Sequence, residues 1–368
     1  MGGAPRSAYL RPMLIPSLSR NAIRSIALLA IPTLVSGCSA VVLDPAGDVA
    51  AQQGNLLVLA TALMLLIIVP VMALIAMFAW RYRHSNTNAT YRPEWHHSTA
   101  LELVIWSAPL LIIICLGAVT WTSTHLLDPY RPIGRIDAKR VISAQAKPLR
   151  VQVVALDWKW LFIYPDYGIA TVNELAAPLD RPIAFELTAS SVMNSFYVPN
   201  LAGQIYAMPG MTTQLNAIVN RPGNFTGFSS NFSGEGFSGM HFRFHAVSQR
   251  NFDGWVARIQ SGGSTLDRAS YIKLAKPSAD TPVMRFAAVT PGLFDAAANR
   301  CVAPGETCMR DMMLADAGGK HAVAMSAMPM NKPAGPIEAS KTTAKNSADD
   351  TARLTGAGLS MPGAQRTN

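Results

Sequence analysis

The sequence predicts a membrane α plus all-β protein: a two-helix transmembrane hairpin, then a β-sandwich, then a short helical C-terminal segment. Three observations predict it. Two long charge-free runs lie in the first third of the 368 residues. From about residue 149, short β-rich runs alternate with Pro and Gly. Half of the residues are hydrophobic and only 14% are charged, an imbalance concentrated at the N-terminal end.

Residues 1–37 have the layout of a lipoprotein-type signal peptide. Arg6, Arg11, Arg20 and Arg24 precede the apolar "IALLAIPTLVSGC", which ends at Cys38 and is too short to span a bilayer comfortably. Val35-Ser36-Gly37-Cys38 resembles a bacterial lipobox, in which the Cys thiol becomes linked to diacylglycerol; the alternative is a structural Cys in a signal anchor. The formal net charge of +9 raises the question of nucleic acid. Its basic residues cluster at membrane-insertion positions, with no interleaved basic and aromatic stretch, which argues against that partner.

The hairpin is expected within residues 38–130, with spans at about 56–80 and 103–123. Leu56 to Trp80 is 25 residues without a charge, about 37 Å as a helix. The second run, Leu103 to Trp121, is 19 residues long. Trp80, Trp106 and Trp121 lie near the ends, as interfacial anchors do. The loop between the runs holds Arg81, Arg83 and Arg92 against Glu94 and Glu102, so the positive-inside rule puts it in the cytoplasm. Both flanks are then outside, in agreement with an exported Cys38. Glu102, at the start of the second span, reads first as a helix-start carboxylate favoured by the helix dipole. The other reading is proton collection at the membrane face. Cys115, mid-span, reads as a small apolar residue.

Residues 149–256 read as the exported β domain. "LRVQVVALDWKWLFIYP", "PIAFELTA", "TTQLNAIV" and "MHFRFHAV" are its clearest strands; in the last, Phe242 and Phe244 alternate with Arg243 and His245. The same domain contains Gly234-x-Gly236-x-x-Gly239, the spacing of a dinucleotide-binding loop. Such a loop needs a strand before it and a helix after it. Here an alternating strand follows, so the match is accidental.

"DWKWLFIYP" (Asp157–Pro165), "SVMNSFYVPNLAGQIYAMPG" (Ser191–Gly210) and "ALELVIWSAPLLIII" resemble subunit II of haem–copper terminal oxidases over about residues 38–290. The resemblance implies a cupredoxin-like sandwich. In copper-bearing members a strand His and a loop C-x-E-x-C-x3-H-x2-M hold a binuclear copper centre. Laid on this chain, Asn194 stands at the strand His, Ser229 and Ser233 at the Cys positions, and Asn231 at the Glu. Phe237 stands at the loop His, and Met240 alone keeps the ligand type. Hydroxyls and a phenyl ring do not replace the soft sulfur and imidazole that copper electron transfer requires. His241 and His245 lie out of the loop's register.

Loss of these ligands with the loop length kept resembles the cytochrome bo-type ubiquinol oxidase branch, as do the lipobox and "LDPAG" (Leu43–Gly47). That resemblance implies a non-catalytic subunit of a proton-pumping complex in the bacterial inner membrane, with both the mature N-terminus and the C-terminal domain in the periplasm. The complex oxidises ubiquinol and reduces dioxygen to water. No cofactor is expected in this chain; haem and copper belong to subunit I. The implied partners are subunit I, the other oxidase subunits and membrane lipid, without cytochrome c. It also turns Glu102 toward a proton-entry role. Trp158 and Trp160 match aromatics near the cytochrome c docking surface of copper-bearing relatives, and without copper or cytochrome c they read as packing residues. Two alternatives are a cytochrome c oxidase subunit with an altered copper site and a free-standing lipoprotein binding module.

Residues 257–312 resemble the oxidase-specific arm that follows the sandwich. "STLDRASYIKLAKPS" reads as a helix capped by Ser264, with Asp267 near its start and Pro277 after its end. Cys301 and Cys308 face the oxidising side and are candidates for a disulfide. Residues 313–368 lack periodicity and read as a disordered tail.

Overall fold

The computed structural model describes residues 41–90, 93–143 and 145–316. The signal segment 1–37, Cys38 and the residues beyond 316 lie outside them. After a 3-10 turn at Val41–Leu43, helix α1 (Asp48–Arg81) and helix α2 (Thr99–Leu126) form the hairpin. Both spans expected from the sequence fall within these helices. Their apolar side chains point outward: Leu66, Leu103 and Trp106 are exposed. Outward apolar surface on this scale is the mark of a lipid-facing helix.

At 34 residues α1 is about 51 Å long, well beyond a hydrocarbon core of about 30 Å. Its first turns are the excess, and they dock on the exported domain. Gly47 makes that approach close: a Cβ there would lie 2.4 Å from the Ile218 carbonyl oxygen and 2.7 Å from that of Leu201. The Asn200 side chain completes the seam by donating to the Asp44 carbonyl at 2.7 Å.

The exported domain is built on β1 (Leu149–Leu156), β2 (Lys159–Tyr164), β3 (Ile169–Val172), β4 (Glu174–Pro178), β5 (Pro182–Ala189), β6 (Asn194–Tyr197), β7 (Ile205–Ala207), β8 (Thr213–Ile218), β9 (Gly223–Ser229) and β10 (His241–Val247). Helix α3 (Gln249–Gln260) follows and runs through residue 256, where the strand pattern was expected to end. Next come β11 (Ser264–Leu266), α4 (Arg268–Ala275), β12 (Met284–Val289), α5 (Leu293–Ala298) and α6 (Met309–Asp316). One sheet has the order β11-β12-β3-β2-β1-β5-β8, the other β4-β10-β9-β6-β7. β1 with β5, β4 with β10 and β11 with β12 are parallel, so each sheet is mixed.

Two cores explain the strand sequences. Between the sheets, Trp160, Phe162, Phe185, Phe196, Phe242 and Phe244 pack with buried aliphatics. On the other face of the larger sheet, Val154, Leu156, Leu161 and Ile163 meet Leu266, Tyr271, Phe286, Leu293 and Phe294 of the arm. β2 is therefore buried at all six residues, and from Trp160 to Tyr164 its sequence reads as a continuous apolar run rather than an alternation.

The arm departs from expectation in two places. Ser264 does not cap a helix; it opens β11, which adds to the sheet edge beside β12. Asp267 is the cap of α4, its side chain accepting from the Ser270 N–H at 2.8 Å. A carboxylate one residue before the helix reaches the free N–H groups of the first turn, and a hydroxyl four residues earlier does not. Residues 313–316 also belong to helix α6 rather than to an unstructured tail.

Candidate functional site

The fold brings five of the six positions aligned with copper ligands into one cluster at the end of β6 and β9 in the smaller sheet. β6 and β9 are neighbours, pairing Phe196 with Ser229, and this sets Asn194 beside Ser229. Met240, immediately before β10, accepts the Ser229 N–H at its carbonyl. The Ser229 hydroxyl lies 3.2 Å from Asn194 Oδ1 and 3.2 Å from the Asn231 carbonyl. Asn194 donates to the Val192 carbonyl at 3.1 Å and Asn231 to that of Met193 at 3.2 Å. The Ser233 hydroxyl faces the Met240 sulfur at 3.9 Å. Asn194, Ser229 and Met240 are all buried. Phe237 is set apart from this network and packs edge-on against Phe232.

Sequence reasoning missed a second layer of the network. The Ser230 hydroxyl donates to Gln204 Oε1 at 2.6 Å and lies 2.9 Å from the Ser195 hydroxyl. No motif pointed to it, because the three residues meet only through the pairing of β6 with both β7 and β9.

Trp158 explains the glycines of the loop. It occupies the two-residue turn between β1 and β2 with φ of 84°, a left-handed conformation that is uncommon for a bulky residue. Its indole N–H donates to the Ser233 carbonyl at 2.9 Å. The ring lies flush against the loop backbone, so that a Cβ on Gly236 would come within 2.5 Å of it. Gly-x-Gly here serves an indole platform and no nucleotide. Trp160 sits deeper, packed edge-on against Phe196 and Phe242, and its ring N–H has no hydrogen-bond partner among the described residues.

These residues do not fit a binuclear copper centre. Such a site needs bridging thiolates and imidazoles. Here two hydroxyls, two amides and a phenyl ring hold the positions, and the hydroxyls and amides are already engaged with one another, with backbone carbonyls or with the Met240 sulfur. Among the described residues no group of three or more His, Cys, Asp or Glu side chains is placed to hold a metal ion. His245 is engaged elsewhere: its Nδ1 contacts Asn224 Oδ1 at 2.6 Å and its Nε2 lies 3.5 Å from Glu174. Glu174 is in turn held by both guanidinium arms of Arg285, at 2.7 and 2.8 Å.

Glu102 stands in the first turn of α2, where its backbone N–H bonds the carbonyl of Ser98, the N-cap. Its carboxylate is exposed and lies 3.4 Å from Nε2 of His97. His97 was not singled out from the sequence; its position beside the helix start was the available signal. Cys301 and Cys308 are bonded, with Cα atoms 4.8 Å apart, and close the turn between α5 and α6. Cys115 is free and exposed on α2, as a lipid-facing residue would be.

The chain matches the family model of the cytochrome c oxidase subunit II periplasmic domain over residues 166–247 and that of the COX aromatic rich motif over residues 260–305. It is 51% identical over 261 residues to cytochrome bo(3) ubiquinol oxidase subunit 2 of Pseudomonas putida, covering 71% of this chain and 80% of the relative. To ubiquinol oxidase subunit 2 of Acetobacter aceti it is 48% identical over 262 residues, 71% and 83% of the two chains. To quinol oxidase subunit 2 of Bacillus subtilis it is 37% identical over 255 residues, 68% and 77% of the two chains. Taken with the non-ligand residues at the copper positions, these matches establish that the chain belongs to the subunit II family of haem–copper terminal oxidases, in its ubiquinol oxidase branch.

Proposed function

We propose that the chain is a redox-silent, structural and proton-entry subunit of a proton-pumping ubiquinol oxidase. Two ubiquinol molecules supply four electrons and four protons to one dioxygen, giving two waters and two ubiquinones. Haem, copper and the quinol chemistry reside in subunit I, and electrons do not pass through this chain. The observation that carries this reading is the hydrogen-bonded network of Asn194, Ser229 and Asn231 where a metal-bearing relative needs ligands.

Glu102 supplies the proton-entry half of the proposal. The exposed carboxylate and the nearby His97 form a proton-exchanging pair at the cytoplasmic mouth of the hairpin. Cys38 is the proposed lipid attachment point, a second hold on the same membrane. The Cys301–Cys308 bridge steadies the arm for its contacts with neighbouring subunits.

The deciding experiment is metal analysis and quinol-driven oxygen uptake on the purified complex. The expected result is rapid uptake with ubiquinol, none with reduced cytochrome c, and only as much copper as subunit I accounts for. An extra pair of coppers that stays with subunit II would overturn the proposal.

A further inference from the structure

A cavity of about 390 Å³ opens at the periplasmic end of the hairpin, between the start of α1, the end of α2 and the loop that follows it. Val49, Leu126 and Ile133 give it apolar surface, while its charged lining is Asp48, Asp128, Arg131 and Arg135. Two carboxylates face two guanidinium groups, so the cavity is polar but carries no net charge. That balance gives a simple anion no electrostatic advantage.

The charges are only partly consumed within the chain. Asp48 is 5% exposed, and its Oδ2 accepts Gln52 Nε2 at 2.7 Å and Arg135 Nε at 2.8 Å. Arg135 spends its inner nitrogen on that bond; its two terminal nitrogens make no hydrogen bond among the described residues, and neither does the Arg131 guanidinium. Asp128 accepts the Tyr130 N–H through Oδ1 at 2.9 Å, which leaves Oδ2 open. The wall itself is held in place, because the Asn216 side chain on β8 donates to the Pro129 and Tyr130 carbonyls.

The position supplies the rest. Leu126, in the cavity lining, ends α2 only five residues past the apolar run that closes at Trp121. This wall of the cavity therefore reaches headgroup depth while the first turn of α1 rises above it, and the exposed apolar faces of α1 and α2 continue below. A ligand matched to this place is an amphiphile with a cationic and an anionic group on one head and hydrocarbon beneath. A neutral headgroup leaves the Arg131 guanidinium and the terminal nitrogens of Arg135 unmatched, and covering them without a partner is costly. We infer that the cavity seats the headgroup of a zwitterionic phospholipid. Its phosphate meets Arg131 and the terminal nitrogens of Arg135, and its primary ammonium meets Asp128 and Asp48. A phosphate held by a guanidinium is a short, charge-assisted contact.

The test uses the whole detergent-purified complex, stripped of lipid and titrated with dioleoylphosphatidylethanolamine, with bound lipid counted by native mass spectrometry. Arg131→Gln is the informative variant, since its guanidinium makes no hydrogen bond or ion pair among the described residues; unchanged haem content checks assembly. The expected result is one tight lipid on the native complex whose apparent Kd rises about tenfold in the variant. Equal binding by the two complexes overturns the site. Dioleoylphosphatidylglycerol binding as tightly as the ethanolamine lipid overturns the zwitterionic assignment. Displacement by free phosphoethanolamine at the same concentration as the lipid makes it a site for a soluble ligand and overturns the membrane source.

Discussion

The loop that follows β9 and the cytoplasmic start of α2 are opposite kinds of place. In the loop, each polar group at a former ligand position is engaged inside the chain, and an indole is pressed against the backbone. At Glu102 the carboxylate is open to its surroundings and touches one imidazole. Buried groups that no longer hold a metal have to find other partners, since an unsatisfied polar group in a low-dielectric pocket is costly. A proton-collecting carboxylate has the reverse need, because protons must reach it. Thus the region that resembles an active centre is the packed one, and the region proposed to take part in the chemistry is the open one.

Substitutions beneath the loop challenge this contrast most severely. Phe242→Ala removes a ring stacked on Phe196 at 5.3 Å between the sheets, and is expected to cost about 3–5 kcal/mol. Thermal unfolding of the purified complex and the yield of subunit II in membranes are the measurements; a complex of native stability would mean the loop rests on something else. Gly236→Ala acts on the loop itself. The new Cβ collides with the Trp158 ring, and about 1–3 kcal/mol of destabilisation is expected without any change in metal content.

Glu102→Ala tests the other side. Quinol-driven oxygen uptake is expected to fall by roughly an order of magnitude, equivalent to about 1.4 kcal/mol on the limiting barrier, with the unfolding temperature and haem spectrum unchanged. If turnover holds, Glu102 is an ordinary helix-start carboxylate and the contrast loses one of its terms.

The smallest effect sharpens the packed side. Lys159 is buried beside Trp158 and donates to the Asp157 and Lys276 carbonyls at 2.7 and 2.9 Å, tying the arm to the β1–β2 turn. Burial holds its ammonium below the usual lysine value, against the opposing pull of Asp157. Its folded value therefore lies below its unfolded one, so between the two the unfolded chain binds the extra proton and stability rises with pH. Unfolding temperature followed up to about pH 10.4 is expected to show this rise in the native complex and a flatter profile in Lys159→Met. A profile identical in both proteins would place the alkaline dependence on another group.

How much of this was legible in the sequence depends on the range of the interaction. The two spans and the order of the main strands are carried by runs within the chain and were readable; the missing ligands were readable only through the resemblance to copper-bearing relatives. The arm was harder. Its helix signal was real but began three residues late, because Ser264 and its neighbours are drawn into β11 by the exposed edge of β12. The continuous apolar sequence of β2 announced burial on both faces without saying what covered the second face. The answer is Leu266, Tyr271 and Phe286, about a hundred residues away.

By itself the sequence determined the two spans and, through its resemblance to copper-bearing relatives, the lack of copper ligands, because both depend on which residue types are present and in what local order. A charge-free run of membrane length and a Ser in place of a Cys mean the same thing wherever the chain later folds. Only the tertiary structure decided that the loop glycines lie against an indole, that His97 accompanies Glu102, and that two aspartates and two arginines line a cavity at the head of the hairpin. Those are meetings across a turn, a helix start and a docked seam. Their energies come from distance and burial, and distance is what a one-dimensional chain leaves unspecified.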